Sequence, residues 1–166
     1  MTDRPESAAS IARQPGDLLD RSALVAMSGL DYLRGLMEGR FAHPPIAALM
    51  NYRLVRVEEG LVAFRATPAF THTNPMGTVH GGWYGTVMDS ALGCAVMTKV
   101  PQGHWYTTLE YRINLVRAVP LEAEVEAVAR VRHAGRSTGV AEAEMHGVAD
   151  GKLYATGSTT CLILAG

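Results

Sequence analysis

A single acidic side chain stands in the most apolar stretch of this sequence. Nearly every position in residues 79–98 is apolar or small, a pattern that predicts a buried helix, and Asp89 is its only acidic residue. Gly82, Thr86, Asp89 and Gly93 follow one another at spacings of four, three and four residues, so they share one face of that helix. Because an unpartnered buried carboxylate is costly, we expect Asp89 either to take part in chemistry or to have a structural hydrogen-bond partner.

The glycine pair Gly81-Gly82 lies where the predicted helix begins. Backbone N–H groups at a helix N-terminus have no intrahelical partner and favour negative charge, and Gly81 has no side chain to keep a ligand away. An N–H donor for a carbonyl oxygen and a carboxylate that acts as base or nucleophile are the two groups that acyl transfer requires. The pair therefore predicts an anion-stabilising site, with close helix packing as the structural alternative.

The spacing of Gly81 and Asp89 makes a further prediction. Eight residues of helix correspond to roughly 12 Å along the axis, so one carbonyl group cannot easily contact both residues of the same chain. If both act on one substrate, Asp89 must come from a second, antiparallel copy of the chain. We therefore expect a symmetric dimer with two sites.

Composition argues against several other classes of protein. Fifteen Lys and Arg against sixteen Asp and Glu give a formal net charge of -1, without the basic cluster that nucleic-acid binding requires. Cys94 and Cys161 match no metal or redox spacing and are predicted to be reduced core residues. The N-terminus has no apolar leader, and no apolar run approaches the roughly 18 residues that cross a membrane. We therefore expect a cytoplasmic protein that binds neither nucleic acid nor membranes.

Hydrophobic periodicity divides the chain into elements. Residues 1–27 are predicted to be a loosely ordered extension and residues 28–166 a single domain. Helical spacing predicts helices at 28–38, 44–50 and 79–98, and alternation predicts a hairpin that turns at 58–60 and strands at 104–116, 122–132, 137–145 and 152–163. An antiparallel sheet that covers a helix apolar on most sides has to curl around it. We therefore predict an α+β protein with a hotdog fold, a curved antiparallel sheet wrapped around a long central helix.

The loop and helix start also resemble a known family. The run NPMGTVHGG at residues 74–82, followed by DSALG at 89–93, is similar to the motif of the PaaI-type (phenylacetic acid degradation) hotdog-fold acyl-CoA thioesterases. The resemblance covers about residues 45–164. It implies hydrolysis of an aryl- or medium-chain acyl-CoA to the free acid and coenzyme A, with no metal or other cofactor. It also implies a homodimer or a tetramer, with sites shared between subunits.

The resemblance assigns roles to individual residues. Gly81 would polarise the thioester carbonyl through its N–H, and Asp89 would be the general base or the nucleophile. Asn74 would orient substrate or water, although a pre-proline turn residue is the structural alternative. His80 would lie beside Asn74 and contact substrate, or would only cap the helix.

Further residues are predicted to hold water or substrate. The water-holding Ser or Thr of the family falls on Thr108, or on Thr107 if the preceding loop is counted differently. Gly93, four residues after Asp89, stands where a different branch of hotdog thioesterases has threonine, which favours the PaaI-type branch. The residues predicted to bind substrate are Gly82, Trp83, Tyr84, Met88 and Arg136, of which the three large apolar ones could equally be core.

Other functions and other candidate residues are weaker. A non-catalytic acyl-CoA-binding module of the same fold would gain nothing from Asp89, and a hydratase or dehydratase would need a closer acid–histidine pair than His80 with Asp89. Ser90 has no nucleophile-elbow motif around it, and Cys94 has no apparent histidine partner. The remaining histidines show no ligand spacing and are predicted to lie on the surface or in loops: His43, His72, His104, His133 and His146.

Overall fold

A computed structural model describes residues 10–166 as four α-helices and six strands. The long helix α4 lies between the second and third strands, as the sequence pattern predicts. The helices are α1 (Arg21–Val25), α2 (Gly29–Met37), α3 (Pro45–Leu49) and α4 (Gly81–Met97), with short 3-10 turns at Pro15–Asp17 and Phe70–His72. The strands are β1 (Tyr52–Glu58), β2 (Leu61–Ala66), β3 (His104–Leu115), β4 (Val125–Ala134), β5 (Thr138–Gly147) and β6 (Leu153–Ala165).

All six strands form one antiparallel sheet in the order β1-β2-β4-β5-β6-β3. Strands β4, β5 and β6 form the predicted meander, and β1 and β2 form the predicted hairpin. Strand β3 pairs only with β6, so within the described residues its other edge is free. The hotdog fold is confirmed: the sheet curves around α4, which contacts β2, β3, β4, β5 and β6.

Local sequence explains where the helices begin and end. The Ser28 hydroxyl accepts a hydrogen bond from the backbone N–H of Asp31, which caps the start of α2. Gly39 follows that helix with φ of 73°, a backbone conformation that favours glycine and ends the helix. The strand predicted to begin at residue 122 begins instead at Val125, because Glu122 has φ of 64° and cannot continue a strand.

The core lies between α4 and the inner face of the sheet. Val87, Met88, Leu92 and Val96 of the helix have no exposed surface. One face of α4 is not covered by the described residues: Gly82 is exposed, and Thr86, Asp89, Cys94 and Met97 are partly exposed. The helix is therefore buried on most sides, as predicted, but Gly82, Thr86 and Asp89 of its stripe of small residues are not fully covered, whereas Gly93 is buried.

The predicted extension of residues 1–27 lies partly outside the described residues. In the part that the structure describes, Ile11 forms an isolated bridge with His43, and α1 packs against α2 and β3. His43 and His72 both lie in connecting segments, as predicted, but neither lies on the surface, because His43 is 7% exposed and His72 is 9% exposed. The ring of His43 contacts the carbonyl oxygen of Leu36 at 3.2 Å, so it has a structural role.

Candidate active site

The first turn of α4 contains the predicted N–H donor. His80 is the N-cap residue, and its Nδ1 atom accepts a hydrogen bond of 2.8 Å from the N–H of Gly82. The N–H of Trp83 donates to the carbonyl oxygen of His80 at 3.0 Å. Among the described residues, the N–H of Gly81 has no hydrogen-bond partner. Gly81 therefore presents the free donor of this helix end, where the helix dipole favours an anion.

The local packing does not require glycine at position 81. A Cβ atom built there would meet only the side chain of Leu115, at the ordinary contact distance of 3.5 Å. At Gly82 a Cβ atom would lie 3.0 Å from Nδ1 of His80, so the absence of a side chain there preserves the cap. The structural alternative of close packing thus fits Gly82 better than Gly81, which faces open space.

The side chain of Asn74 stabilises the loop that leads into α4. Its Oδ1 accepts hydrogen bonds from the N–H groups of Met76 at 2.9 Å and Thr78 at 3.3 Å, and its Nδ2 donates to the Thr78 hydroxyl at 2.8 Å. These contacts are those of a turn residue. Asn74 is partly exposed, and its predicted contact with substrate or water stays a prediction.

The buried side chain of His72 also positions this loop. Nδ1 of His72 accepts a hydrogen bond of 2.8 Å from the N–H of Ala69, so Nε2 carries the proton and donates to the carbonyl oxygen of Leu49 at 2.8 Å. The ring also lies 6.2 Å from that of Trp83. Both nitrogens are therefore used in positioning the loop.

Strand β3 brings a hydroxyl to the lone acid. Oγ1 of Thr108 lies 3.5 Å from Oδ1 of Asp89, at the outer limit of a hydrogen bond. A β-bulge follows immediately, between Thr108 and Glu110, and leaves Leu109 59% exposed. The geometry thus places Thr108, not Thr107, at the predicted position beside the carboxylate.

Asp89 is half-buried in the single chain. Burial removes water from the carboxylate and raises its pKa above the ordinary value of 3.8, and the hydrogen bond from Thr108 partly opposes that shift. The direction of this shift could not be obtained from the sequence, because it depends on packing against β3. A carboxylate with a raised pKa on an open helix face is a candidate general base.

The described residues of one chain do not bring Gly81 and Asp89 together. The two residues lie at the start and the middle of the same straight helix. Their separation remains roughly 12 Å along the axis. Each chain therefore has an N–H donor at the start of α4 and a carboxylate near its middle, and these two groups are separate in space.

The three large apolar residues predicted to bind substrate lie in the core. Trp83, Tyr84 and Met88 are 2%, 2% and 0% exposed. The indole N–H of Trp83 donates to the carbonyl oxygen of Met50 at 2.9 Å, and the Tyr84 hydroxyl accepts from the N–H of Val119 at 2.7 Å. In the single chain these three side chains belong to the core, and their predicted contact with substrate stays a prediction.

The remaining predicted residues lie away from the carboxylate. Arg136 is exposed in the hairpin between β4 and β5, and its predicted contact with coenzyme A stays a prediction. Cys94 is partly exposed as a residue, but its thiol is buried, and this burial raises its pKa to about 12. A thiol with so high a pKa is a poor nucleophile, which agrees with its exclusion from the sequence.

Sequence reasoning missed Tyr106, which packs against α4 near Asp89. Tyr106 is two residues before Thr108 on β3 and so points to the same side of the sheet. A Cβ atom built on Gly93 would lie 2.9 Å from the Tyr106 hydroxyl. The alternation of side chains along the strand could have indicated Tyr106, because it lies two residues before Thr108.

Two negative findings hold for the part of the chain that the structure describes. No three residues among His, Cys, Asp and Glu are grouped as a metal ion would require. No helix in residues 10–166 is both long and apolar enough to cross a membrane.

Comparisons with known proteins agree with this geometry. The family model of the thioesterase superfamily matches residues 76–153. A conserved protein from Pseudomonas aeruginosa is 36% identical, with 72% of this chain and 94% of that chain covered and a TM-score of 0.66. No protein with a curated description matches.

Two further solved structures share the fold at lower identity. The E. coli PaaI protein of the phenylacetic acid degradation operon is 21% identical, with coverage of 83% of this chain and 95% of that chain and a TM-score of 0.71. A hypothetical thioesterase of Streptococcus pneumoniae, solved with coenzyme A, is 24% identical, with coverage of 72% and 91% and a TM-score of 0.65. The predicted relationship to hotdog thioesterases, including PaaI proteins, is confirmed.

Proposed function

Because this chain belongs to the thioesterase superfamily, we propose that it hydrolyses an acyl-CoA thioester to the free acid and coenzyme A. The observation that carries the proposal is the pairing of an acid with an anion-binding helix end: Asp89 lies beside Thr108 on the open face of α4, and Gly81 presents a free N–H. The coenzyme A bound to the Streptococcus pneumoniae thioesterase supports coenzyme A as the thiol that the proposed reaction releases.

The chemistry follows from the charges that develop at the thioester carbonyl. The N–H of Gly81 donates to the carbonyl oxygen as it becomes negative. Asp89 either removes a proton from the attacking water or attacks the carbonyl carbon itself, and both routes use the carboxylate on the opposite side of that carbon. The C–S bond then breaks, and the thiolate of coenzyme A leaves and takes up a proton. In the route in which Asp89 attacks, water then hydrolyses the anhydride formed on Asp89, which releases the free acid and restores the carboxylate. Neither route uses a metal or a redox cofactor.

The separation of Gly81 and Asp89 requires a shared site. We propose that the donor of one protomer and the acid of its partner act on the same thioester, so that a dimer has two sites. Strand β3 supports this arrangement, because its unpaired edge carries exposed apolar side chains, with Leu109 at 59%, Tyr111 at 49% and Leu115 at 53%. An unpaired edge of this kind is a template for pairing with another chain.

The position of the twofold axis can be inferred from the packing of α4 on β3. Gly85 is halfway between Gly81 and Asp89, and a Cβ atom built on it would lie 3.4 Å from the Tyr111 hydroxyl. Tyr111 is near the middle of β3. If two β3 strands pair antiparallel about this point, Gly81 of one protomer comes opposite Asp89 of the other. The face that each helix leaves open is then covered by the partner, and two such dimers could form the predicted tetramer.

The acyl group that we propose is an aryl or a medium-chain group. Beyond Asp89, the partly exposed residues of α4 are Ser90, Cys94 and Met97, and none of them carries a charge. The ring of Tyr106 borders the same surface. Such a surface fits an uncharged acyl group of moderate size.

A thiol-release assay tests the proposed function. Purified protein is mixed with a panel of phenylacetyl-, hydroxyphenylacetyl-, benzoyl- and medium-chain acyl-CoA, and free thiol is measured against time. We expect release with at least one member of the panel, and none from the Asp89→Asn variant. Tight binding of acyl-CoA without release would instead identify a non-catalytic binding module.

A further inference from the structure

The hydroxyl of Tyr106 is packed against the helix backbone one turn beyond the acid. A Cβ atom on Gly93 would lie 2.9 Å from this hydroxyl oxygen and 3.4 Å from the ring carbon beside it. No side chain other than hydrogen fits at position 93 while Tyr106 keeps this place. The glycine therefore allows the phenol hydroxyl to lie against the backbone of α4.

Tyr106 and Asp89 lie about one helix turn apart where β3 packs against α4. Asp89 and Gly93 are one turn apart on α4, about 6 Å along the axis. On β3, Thr108 contacts Asp89, and Tyr106, two residues earlier, reaches Gly93. Two consecutive hydrogen bonds through one water molecule span roughly 5.5 Å, which is close to the rise of α4 between Asp89 and Gly93.

The Tyr106 hydroxyl has no partner of its own. In residues 10–166 no hydrogen bond involves this oxygen, whereas the hydroxyls of Tyr52, Tyr84 and Tyr154 all have one. The single fully buried side-chain polar atom without a partner in this range is Nε1 of Trp105. Tyr106 is partly exposed, and its oxygen is therefore not sealed in the core as Nε1 of Trp105 is.

The phenol stays neutral across the pH range in which Asp89 ionises. Burial, together with the nearby Cys94, Cys161 and Asp89, raises the pKa of Tyr106 well above its ordinary value of 10.0. A neutral phenol can accept one hydrogen bond through its oxygen and still donate another. It exchanges no proton with Asp89.

We propose that the oxygen of Tyr106 accepts a hydrogen bond from the water that attacks the thioester, so that Tyr106 and Asp89 together orient it. This inference rests on the proposed thioesterase function. The water donates one hydrogen to Asp89 and the other to Tyr106, which directs a lone pair of its oxygen towards the carbonyl carbon. The new C–O bond forms as the first proton passes to Asp89. The C–S bond then breaks, and the leaving thiolate takes that proton back from Asp89.

Substitution of Tyr106 by Phe tests the proposal. Phe keeps the ring against Gly93 and removes only the oxygen, so we expect kcat to fall roughly tenfold with every acyl-CoA that the wild-type protein hydrolyses, while KM is unchanged. Tyr154→Phe is the matched control, because its hydroxyl donates to Asp150 at 2.9 Å, outside the site. The control variant should retain the wild-type kcat.

A second measurement does not depend on turnover. A high-resolution crystal structure of the protein should show an ordered water within hydrogen-bond distance of both Asp89 and the Tyr106 oxygen, and this water should be lost in the Tyr106→Phe variant. An unchanged kcat in a folded Tyr106→Phe variant would overturn the inference, and so would a loss confined to acyl groups that carry a hydrogen-bonding atom. In both cases the wild-type protein would still release thiol. Absence of thiol release by the wild type would overturn the proposed function itself, and this inference with it.

Discussion

Oγ1 of Thr108 lies 3.5 Å from Oδ1 of Asp89, which joins the open face of α4 to the edge strand β3. The contact is too long to fix the carboxylate tightly. The hydroxyl still stabilises the charged form of the acid, because this contact lowers the pKa of Asp89. The first substitution therefore concerns this pair.

Thr108→Val should lower kcat about 10- to 100-fold, because it removes a hydroxyl that hydrogen-bonds a charged group while keeping the shape of the side chain. It should also raise the pKa of Asp89 further, since the contact from Thr108 lowers that pKa. Thr107→Val is the matched control on the other side of the strand. The kcat of both variants is measured by steady-state kinetics. A larger loss of kcat in Thr107→Val would show that the strand register was assigned to the wrong threonine.

Gly81→Ala should fold normally and lose about 100-fold or more in kcat, the usual effect of losing one donor to an oxyanion. The added methyl group meets only Leu115, at 3.5 Å, but it occupies the space through which a thioester would approach the N–H. Gly16→Ala is the control, since a Cβ atom there contacts nothing within 4 Å. Thermal unfolding and kcat are measured together. An active Gly81→Ala variant would remove this residue from the mechanism.

Asp89→Asn should abolish thiol release and stabilise the fold at neutral pH. The folded-state pKa of Asp89 lies above 3.8, so the folded chain binds the proton more tightly than the unfolded chain does. Stability of the wild-type protein therefore falls as pH rises from 3.8 through the folded-state pKa, and the penalty is complete above it. Tm measured against pH should show the variant above the wild type at neutral pH, with the difference vanishing below pH 3.8. A variant that is less stable at neutral pH would indicate a structural acid.

The two possible roles of His80 can be separated by two substitutions. His80→Ala removes the N-cap and should cost roughly 1 kcal/mol of stability. His80→Asn supplies a new cap acceptor and should restore the wild-type Tm. Because Nδ1 accepts from Gly82, the exposed Nε2 carries a proton and is free to donate, so we expect His80→Asn to lose about tenfold in kcat/KM. Wild-type kinetics in that variant would make His80 a cap alone.

Much of the fold could be predicted because its signals are local. The apolar run of α4, the Ser28 cap and the alternation of the strands each lie within a few residues of the element that they specify. The motif at 74–82 and the lone acid Asp89 could be read for the same reason. The eight-residue spacing of Gly81 and Asp89 follows from helix geometry alone.

The rest of the site depends on contacts between distant segments. The sequence could not tell that Trp83 and Tyr84 are covered on all sides, because Met50 and Val119 complete their hydrogen bonds. It could not place His72 in the interior, where Leu49 accepts its proton. The sequence could not place Tyr106 near the site, because its position depends on the packing of β3 against Gly93.

Subunit complementation tests most directly whether the site is shared between two chains. Asp89→Asn and Gly81→Ala protomers are refolded together, and the thiol release of the mixture is compared with that of each variant alone. In a shared-site dimer, every mixed dimer has one site with both substitutions and one site with a wild-type donor and a wild-type acid, so random mixing should recover about a quarter of the wild-type activity. If donor and acid of the same chain act together, the mixture will show only the mean of the two variants, and the shared site is contradicted.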